Sequence, residues 1–161
     1  MSGTATEAGL AGGNLRIRPL RPEDRAAWGA LWKGYLAFYE TELPETVYDT
    51  TFARLLDGSG DGPRGLLAER GGRAVGLVHY LFHAHCWRPE GICYLQDLFA
   101  APEARGTGVG RALIEAVYAA ADARGVPGVY WLTQEFNTTA RQLYDRIGAA
   151  TPFIKYVRGA G

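Results

Sequence analysis

The chain has 161 residues, 47% of them hydrophobic and 21% charged, which suffices for one domain with a proper core and excludes general disorder. Lys plus Arg and Asp plus Glu stand at 17 each without a run of like charge, so the basic footprint of a nucleic-acid binder is missing. No apolar stretch is long enough to span a bilayer.

Residues 1–14 are mostly Gly, Ala, Ser and Thr with one Leu, and carry neither a cationic start nor the apolar run of a signal peptide. A flexible tail over 1–14, a single domain over 15–161 and a soluble, cytoplasmic protein are the expectations. Leu15 to Leu20 alternates apolar and basic residues and predicts a strand. Pro22, Glu23 and Asp24 then suit a helix start. That helix runs to about Tyr39, with Trp28, Leu31, Trp32, Tyr35, Phe38 and Tyr39 at helical spacing. A second begins after Pro44 and ends near Gly58, followed by a loop to Pro63.

Arg64 to Arg70 and Arg73 to Trp87 read as strands joined at Gly71-Gly72, a pair that accepts the positive φ of a tight hairpin. A further turn, Arg88-Pro89-Glu90-Gly91, leads into a strand over Ile92 to Ala100. If Arg88 pairs with Gly91, the register sets His83 opposite Gln96 and Phe82 opposite Asp97, unless a bulge shifts it. Leu113, Ala116, Val117 and Ala120 mark one face of a helix from Gly110 to Arg124, closed by Gly125. Gly128 to Thr133 is rich in β-formers, Asn137 to Ile147 is a short helix, and Phe153 to Val157 reads as a last strand. The order is βααβββαβαβ. Cys86 and Cys93 fit neither a CxxC pair nor a disulfide framework, and both are expected as thiols.

The stretch Arg105-Gly106-Thr107-Gly108-Val109-Gly110-Arg111 carries the most information. It lies between a predicted strand and a strongly patterned helix, and its glycines let the backbone pass close to a ligand while the helix start offers unpaired N–H groups. Such a place binds an anion, typically a phosphate. Gly110-Arg111-Ala112 lacks the lysine and hydroxyl of a P-loop, and Arg111 stands where a dinucleotide fingerprint needs its third glycine.

Arg105 to Gly110 resembles the Arg/Gln-x-x-Gly-x-Gly/Ala signature of the GNAT superfamily of N-acetyltransferases, which cradles the pyrophosphate of coenzyme A. The order of elements from Leu15 to Val157 is also similar to that fold. Tyr94-Leu95-Gln96-Asp97-Leu98-Phe99 and Asn137-Thr138-Thr139-Ala140-Arg141-Gln142-Leu143-Tyr144 look like the polyamine acetyltransferases and the yeast-type histone acetyltransferase subgroup. The resemblance implies an α/β fold with a mixed, mostly antiparallel sheet of six to seven strands flanked by four helices and splayed between the fourth and fifth strands. It implies acetyl-CoA as cofactor, held by Leu98, Phe99, Ala100, Arg105, Gly106, Thr107, Gly108, Val109, Gly110, Arg111, Asn137, Ala140 and Tyr144.

Transfer of acetyl to a primary amine sets three tasks. The amine, with a pKa of about 10.4, must lose a proton before it attacks; the oxyanion wants donors; the leaving thiolate wants an acid. In the resembled family the residue matching Tyr144 reaches the sulfur, which makes Tyr144 the candidate acid; otherwise it is a half-buried tyrosine beside Leu143 and Ile147. Asp97 is an acid in an otherwise apolar strand, where a bare carboxylate is expensive to bury, and is the candidate for amine capture. Polyamine acetyltransferases tend to have Glu-Asp here, whereas this chain has Gln96-Asp97. His83 is a second candidate base by its ordinary pKa, or one of a row with His79 and His85 that is only solvated or core-satisfied.

Trp32, Tyr35, Tyr39, Glu40, Gln96 and Asp97 are the candidate acceptor residues, with Glu42 and Glu45 adding acidity. No metal site is expected. The function these features imply is direct N-acetylation of a small amine such as a polyamine or amino acid by a homodimer. A protein lysine or amino-terminal acetyltransferase, or a non-catalytic acyl-CoA-binding module, are the alternatives.

Overall fold

A computed structural model describes residues 14–159, so all but the last residue of the expected tail lies outside the described residues. Five strands and four helices follow in the order β1 (Leu15–Pro19), α1 (Arg25–Phe38), α2 (Glu45–Asp57), β2 (Arg64–Arg70), β3 (Arg73–His85), β4 (Arg88–Ala100), α3 (Val109–Ala123), β5 (Val129–Tyr130) and α4 (Thr138–Ile147). One mixed sheet runs β1-β2-β3-β4-β5 in spatial order. The first four strands pair antiparallel, and β5 joins β4 in parallel.

The sheet has five strands among the described residues, not six or seven. Phe153 to Val157 forms no strand there: Phe153, Ile154, Tyr156 and Val157 are 73–88% exposed, and no neighbouring strand offers them a ladder. The predicted strand over Gly128 to Thr133 shortens to two residues, because only Cys93↔Val129 and Tyr94↔Tyr130 pair before the two strands part.

Gly71 and Gly72 both take positive φ, +61° and +76°, and close the β2–β3 hairpin as the mirror-image turn requires. The next hairpin differs from expectation. Its turn is Cys86–Trp87, with His85 opposite Arg88, and the Arg88–Gly91 segment belongs to β4. Irregularities between His83 and His85 and between His79 and Tyr80 then set Phe82 opposite Cys93, His83 opposite Ile92 and His79 opposite Asp97. His83 therefore does not face Gln96, and Phe82 does not face Asp97. The second irregularity is a bulge in β4: Tyr80 pairs with Leu95 and His79 with Asp97, which leaves Gln96 as the extra, exposed residue.

That bulge decides which side chains meet. Opposed residues share a face, and without the inserted residue Asp97 and Leu95 would point the same way. Instead Leu95 and Cys93 turn with Tyr80 and Phe82 toward the face covered by α3. On this face, at Gly76, an added Cβ would sit 2.7 Å from Val109 and 3.2 Å from Leu113. Asp97, His79 and Phe99 turn toward α1, where a Cβ at Gly34 would lie 2.8 Å from the Phe99 ring.

The core forms on both faces. Val109, Leu113, Ile114, Val117 and Ala121 give α3 its buried stripe, while Trp28, Trp32, Tyr48 and Phe52 pack α1 and α2 together with ring centroids 4.9–6.0 Å apart. Asp24 closes the turn before α1: its carboxylate accepts the Arg21 N–H at 2.7 Å and two bonds from Arg18 at 2.7 and 2.8 Å. Tyr118 donates to the Ile147 carbonyl at 2.7 Å and holds α4 beside α3. Both cysteines are free, Cys86 exposed and Cys93 buried. No helix among the described residues is long and apolar enough to cross a membrane.

Candidate active site

The glycine-rich stretch leaves β4 through a single helical turn, Pro102–Ala104, and enters α3 at Val109. Gly106 and Gly108 have φ of +75° and +90°, and a Cβ built on either meets nothing within 4 Å. The loop is thus shaped by glycine and open on its outer side. The N–H of Ala112 bonds to the Gly108 carbonyl at 3.0 Å, so the N–H groups of Val109, Gly110 and Arg111 precede the first intrahelical bond and stay available. These features fit a diphosphate approached by backbone.

Two arginines fix this loop. Arg70, at the end of β2 and only 6% exposed, donates to the Thr107 hydroxyl at 2.8 Å and to its carbonyl at 3.2 Å. The Thr107 hydroxyl in turn donates to the Ala104 carbonyl. Arg105 bonds to the Ala100 carbonyl at 3.2 Å and lies over the Phe99 ring. The Arg111 side chain pairs with Glu115, so what Arg111 offers the loop is its backbone N–H.

Since β5 leaves β4 after Tyr94, the β4 edge that runs through Leu98, Phe99 and Ala100 has no strand on that side among the described residues. Tyr144 lies on α4. It is half-buried, edge-on to Trp131 at 5.5 Å, and burial with the nearby Tyr39 pushes its phenol up to about 12. Asn137 caps α4, accepting the Ala140 N–H at 3.4 Å, and its amide faces the Thr133 hydroxyl at 3.4 Å.

Asp97 faces α1. Its Oδ2 lies 2.8 Å from His79 Nδ1 and accepts the Trp32 indole N–H at 3.3 Å. Burial works to raise this carboxyl, but the bonds from His79, Tyr35 and Trp32 outweigh it and hold Asp97 below the ordinary aspartate value. The Tyr35 phenol is pushed well above the ordinary tyrosine value by burial and by the Asp97 charge. Tyr35 meets Tyr39 edge-on at 5.1 Å, and Tyr94 stacks on Tyr130 at 4.8 Å. Burial and Asp97 raise Tyr39 as well, while burial, Tyr130 and Asp97 raise Tyr94. A wall of phenols therefore surrounds one buried carboxylate.

The structure thus brings together Trp32, Tyr35, Tyr39 and Asp97. Gln96 is on the bulge and exposed, and Glu40, with φ of +53°, sits exposed in the turn after α1. Glu45 is engaged by Arg25 at 2.9 Å. His83 lies four residues from His79 along β3; its Nδ1 meets the Ala84 carbonyl and its Nε2 the Tyr130 hydroxyl, both at 2.8 Å. A carbonyl only accepts, so Nδ1 carries a proton, and in the neutral ring Nε2 accepts from Tyr130. Residues that sequence reasoning did not select are His79, Trp28, Tyr94, Tyr130 and Arg70. The one available hint for His79 was its place in the row with His83 and His85, and nothing local separates it from them. Among the described residues no group of three or more His, Cys, Asp or Glu gathers as a metal would need.

The model of the Acetyltransferase (GNAT) family matches residues 28–149. The D-amino-acid N-acetyltransferase HPA3 of Saccharomyces cerevisiae is 40% identical over 144 residues, covering 88% of this chain and 89% of that protein. The thialysine N-epsilon-acetyltransferase of Bos taurus is 32% identical over 124 residues, 71% of this chain and 72% of that one. Among solved structures, the aminoglycoside N-acetyltransferase AAC(6')-Iy in complex with CoA has a TM-score of 0.79 at 19% identity, covering 92% of this chain and 96% of its own. At that identity the likeness concerns the fold.

Proposed function

This chain belongs to the acetyltransferase (GNAT) family, and on that footing we propose that it transfers acetyl from acetyl-CoA directly to a small primary amine captured at Asp97. One juxtaposition carries the reading: on the same strand, the buried Asp97 carboxylate stands at one point of the β4 edge, and the open N–H cradle of residues 106–111 follows where that strand ends.

Gly106 to Arg111 would hold the diphosphate, and Leu98, Phe99, Ala100, Asn137 and Ala140 the pantetheine arm. When bound, acetyl-CoA supplies an activated acetyl group as a thioester. Asp97 takes the acceptor's ammonium among the rings of Trp32, Tyr35 and Tyr39, with Gln96 and Glu40 at its rim. The amine's proton leaves through Asp97, or through the Tyr130 hydroxyl to His83. Backbone N–H groups of Leu98 to Ala100 receive charge developing on the carbonyl oxygen. Tyr144 donates its phenolic proton to the departing thiolate, a role its high pKa supports because the proton is still in place at neutral pH.

The acceptor class follows from the site's scale and charge. A carboxylate this enclosed suits a slender alkyl ammonium, and HPA3 and the bovine relative are named for a D-amino acid and for the ε-amine of thialysine, both small. The likeness of Tyr94 to Phe99 and of Asn137 to Tyr144 supports the polyamine and yeast-type subgroup as the nearest functional setting. A panel of D- and L-amino acids, thialysine, spermidine and a histone-tail peptide, read by thiol release, tests the proposal. Thiol release with a small amine supports it; release with the peptide alone, or none with any acceptor, overturns it.

The same reading includes a cytoplasmic homodimer. The exposed Cys86 thiol suits a reducing compartment, and the bare apolar run at Phe153, Ile154, Tyr156 and Val157 is suited to cover by a second copy. Light scattering should give twice the mass of the chain, and the double change Ile154→Asp, Tyr156→Asp should give the monomer.

A further inference from the structure

Four polar or charged residues are buried among the described ones: Asp24, Arg70, His79 and Asp97. Asp24 braces the turn before α1 and Arg70 braces the glycine loop. His79 has no part in the reaction outlined above, yet its imidazole is 4% exposed, and filling that space with a leucine or phenylalanine would avoid burying polar atoms. What an imidazole adds is direction.

Its surroundings fix that direction. An indole N–H can only donate, so the contact of 2.9 Å from Trp28 Nε1 makes His79 Nε2 an acceptor. The ring proton is thereby on Nδ1, which donates to Asp97 Oδ2 at 2.8 Å. Trp32 donates to the same oxygen at 3.3 Å. The His79 and Trp32 bonds both fall on Oδ2, the Tyr35 phenol is a third donor to the carboxylate, and 12% of the Asp97 side chain stays open. Trp28 and Trp32 lie one turn apart on α1 and stack at 5.2 Å, so one helix face sets both donors.

The geometry points to His79 as a positioning residue for the acceptor: held in one tautomer by Trp28, it grips Asp97 by Oδ2 and so presents Oδ1 to the ammonium. A capture group has to be fixed within a fraction of an ångström by its supporting shell, and a carboxylate attached to one strand alone is free to rotate. The titratable groups facing Asp97 are His79 from β3, Tyr35 from α1, Tyr39 just past the end of α1, and Tyr94 from β4. From α2, Tyr48 packs edge-on to Trp32 at 4.9 Å and closes the far side. The inference rests on the reading of Asp97 as the amine-capturing residue.

The test uses the full chain with saturating acetyl-CoA and a varied amine, alongside calorimetry of acetyl-CoA binding and 15N spectra of the imidazoles. His79→Phe keeps a ring and removes the donor, His79→Asn restores an N–H near the Nδ1 position, and Asp97→Asn removes the charge. The expected result for His79→Phe is an amine KM raised about tenfold or more, the loss of one charge-assisted hydrogen bond, with kcat little changed and acetyl-CoA affinity unchanged. His79→Asn should recover most of that KM, and the native spectrum should show the Nδ1-protonated pattern.

A normal amine KM in His79→Phe beside a raised one in Asp97→Asn overturns the role of His79 and leaves Asp97 standing. A normal amine KM in Asp97→Asn overturns both. Equal loss of amine and coenzyme binding in His79→Phe, not rescued by asparagine, reduces His79 to packing and also overturns the inference. Should His79→Phe fail to fold, Trp28→Phe takes its place: an imidazole that changes tautomer together with a raised amine KM supports the role, and no change in either overturns it.

Discussion

Arg70 and Thr107 are joined twice, from one guanidinium to the hydroxyl and the carbonyl of the same residue, at 2.8 and 3.2 Å. They lie 37 residues apart, on the end of β2 and in the loop before α3. The pair ties the glycine loop to the sheet at the one non-glycine position between Gly106 and Gly108. The arrangement is expensive, because Arg70 Nε is buried without a hydrogen-bond partner among the described residues and its two bonds go to neutral oxygens. Arg70→Met removes that burden together with the brace. The expected outcome is a Kd for acetyl-CoA raised about tenfold by calorimetry, an amine KM unchanged, and a folding stability within about 1 kcal/mol of the parent.

Tyr144 is expected to act through its proton alone. Tyr144→Phe keeps the ring against Trp131 and should leave acetyl-CoA affinity intact, while kcat falls by about 10²–10³ under conditions where chemistry limits. The phenol is pushed up to about 12, by burial first and by Tyr39 second. The acid is therefore present at any pH below that value, and an alkaline loss of activity with a midpoint near 8 or 9 in the parent belongs to another group. If Tyr144→Phe and the parent share one turnover number in single-turnover experiments, the phenol is not the acid.

Much of this site was legible locally and part of it was not, for a physical reason. The loop from Arg105 to Arg111 is read by spacing because glycine conformation and helix-start N–H groups are properties of neighbouring residues. Asp97 was legible as an anomaly, a carboxylate in an apolar strand. Its partner was not, since one inserted residue at Gln96 and a turn at Cys86–Trp87 moved the register so that His79, not Phe82, stands opposite it. Register depends on where a bulge falls, which no pattern of alternation in this strand reveals. The segment Phe153 to Val157 shows the opposite limit: its composition suits a strand, but strand formation needs a neighbour, and the single chain supplies none among the described residues.

Gly108 should tolerate no side chain without a change in coenzyme binding. Its φ of +90° is a conformation that L-residues reach at a cost of roughly 1–2 kcal/mol, and it immediately precedes the free N–H groups of α3. The space around it is open, so Gly108→Ala is expected to strain the backbone without any clash inside the protein. Stability should fall by about 1 kcal/mol, while the Kd for acetyl-CoA rises by more than that loss explains, because the added methyl stands on the side the diphosphate approaches. A thermal melt and a coenzyme titration on the same preparation separate the two effects. Equal affinity in the variant would mean that the diphosphate sits elsewhere.

Asp24 makes the fold itself sensitive to acid. Its carboxylate is held below the ordinary aspartate range, first by the Arg18 hydrogen bonds and then, against the opposing effect of burial, by the Arg21 N–H. Arg18 also contacts Glu69 on β2 and so links β1, its neighbour β2 and the turn before α1. The sign follows from linkage. A carboxyl whose pKa is lower folded than unfolded adds stability that is complete above the unfolded value, about 3.9, and is lost as pH falls through the folded value. Calorimetric melts at neutral and acid pH should therefore show the parent losing stability as Asp24 is protonated. Asp24→Asn should start about 3 kcal/mol lower at neutral pH, since it leaves Arg18 mostly buried with half its pairing gone. It should then approach the parent as the medium turns acid, because the protonated parent and the amide present Arg18 with a neutral partner alike. Two melting curves that stay parallel across the acid range would show that Arg18 and Asp24 hold the strand by packing and not by charge.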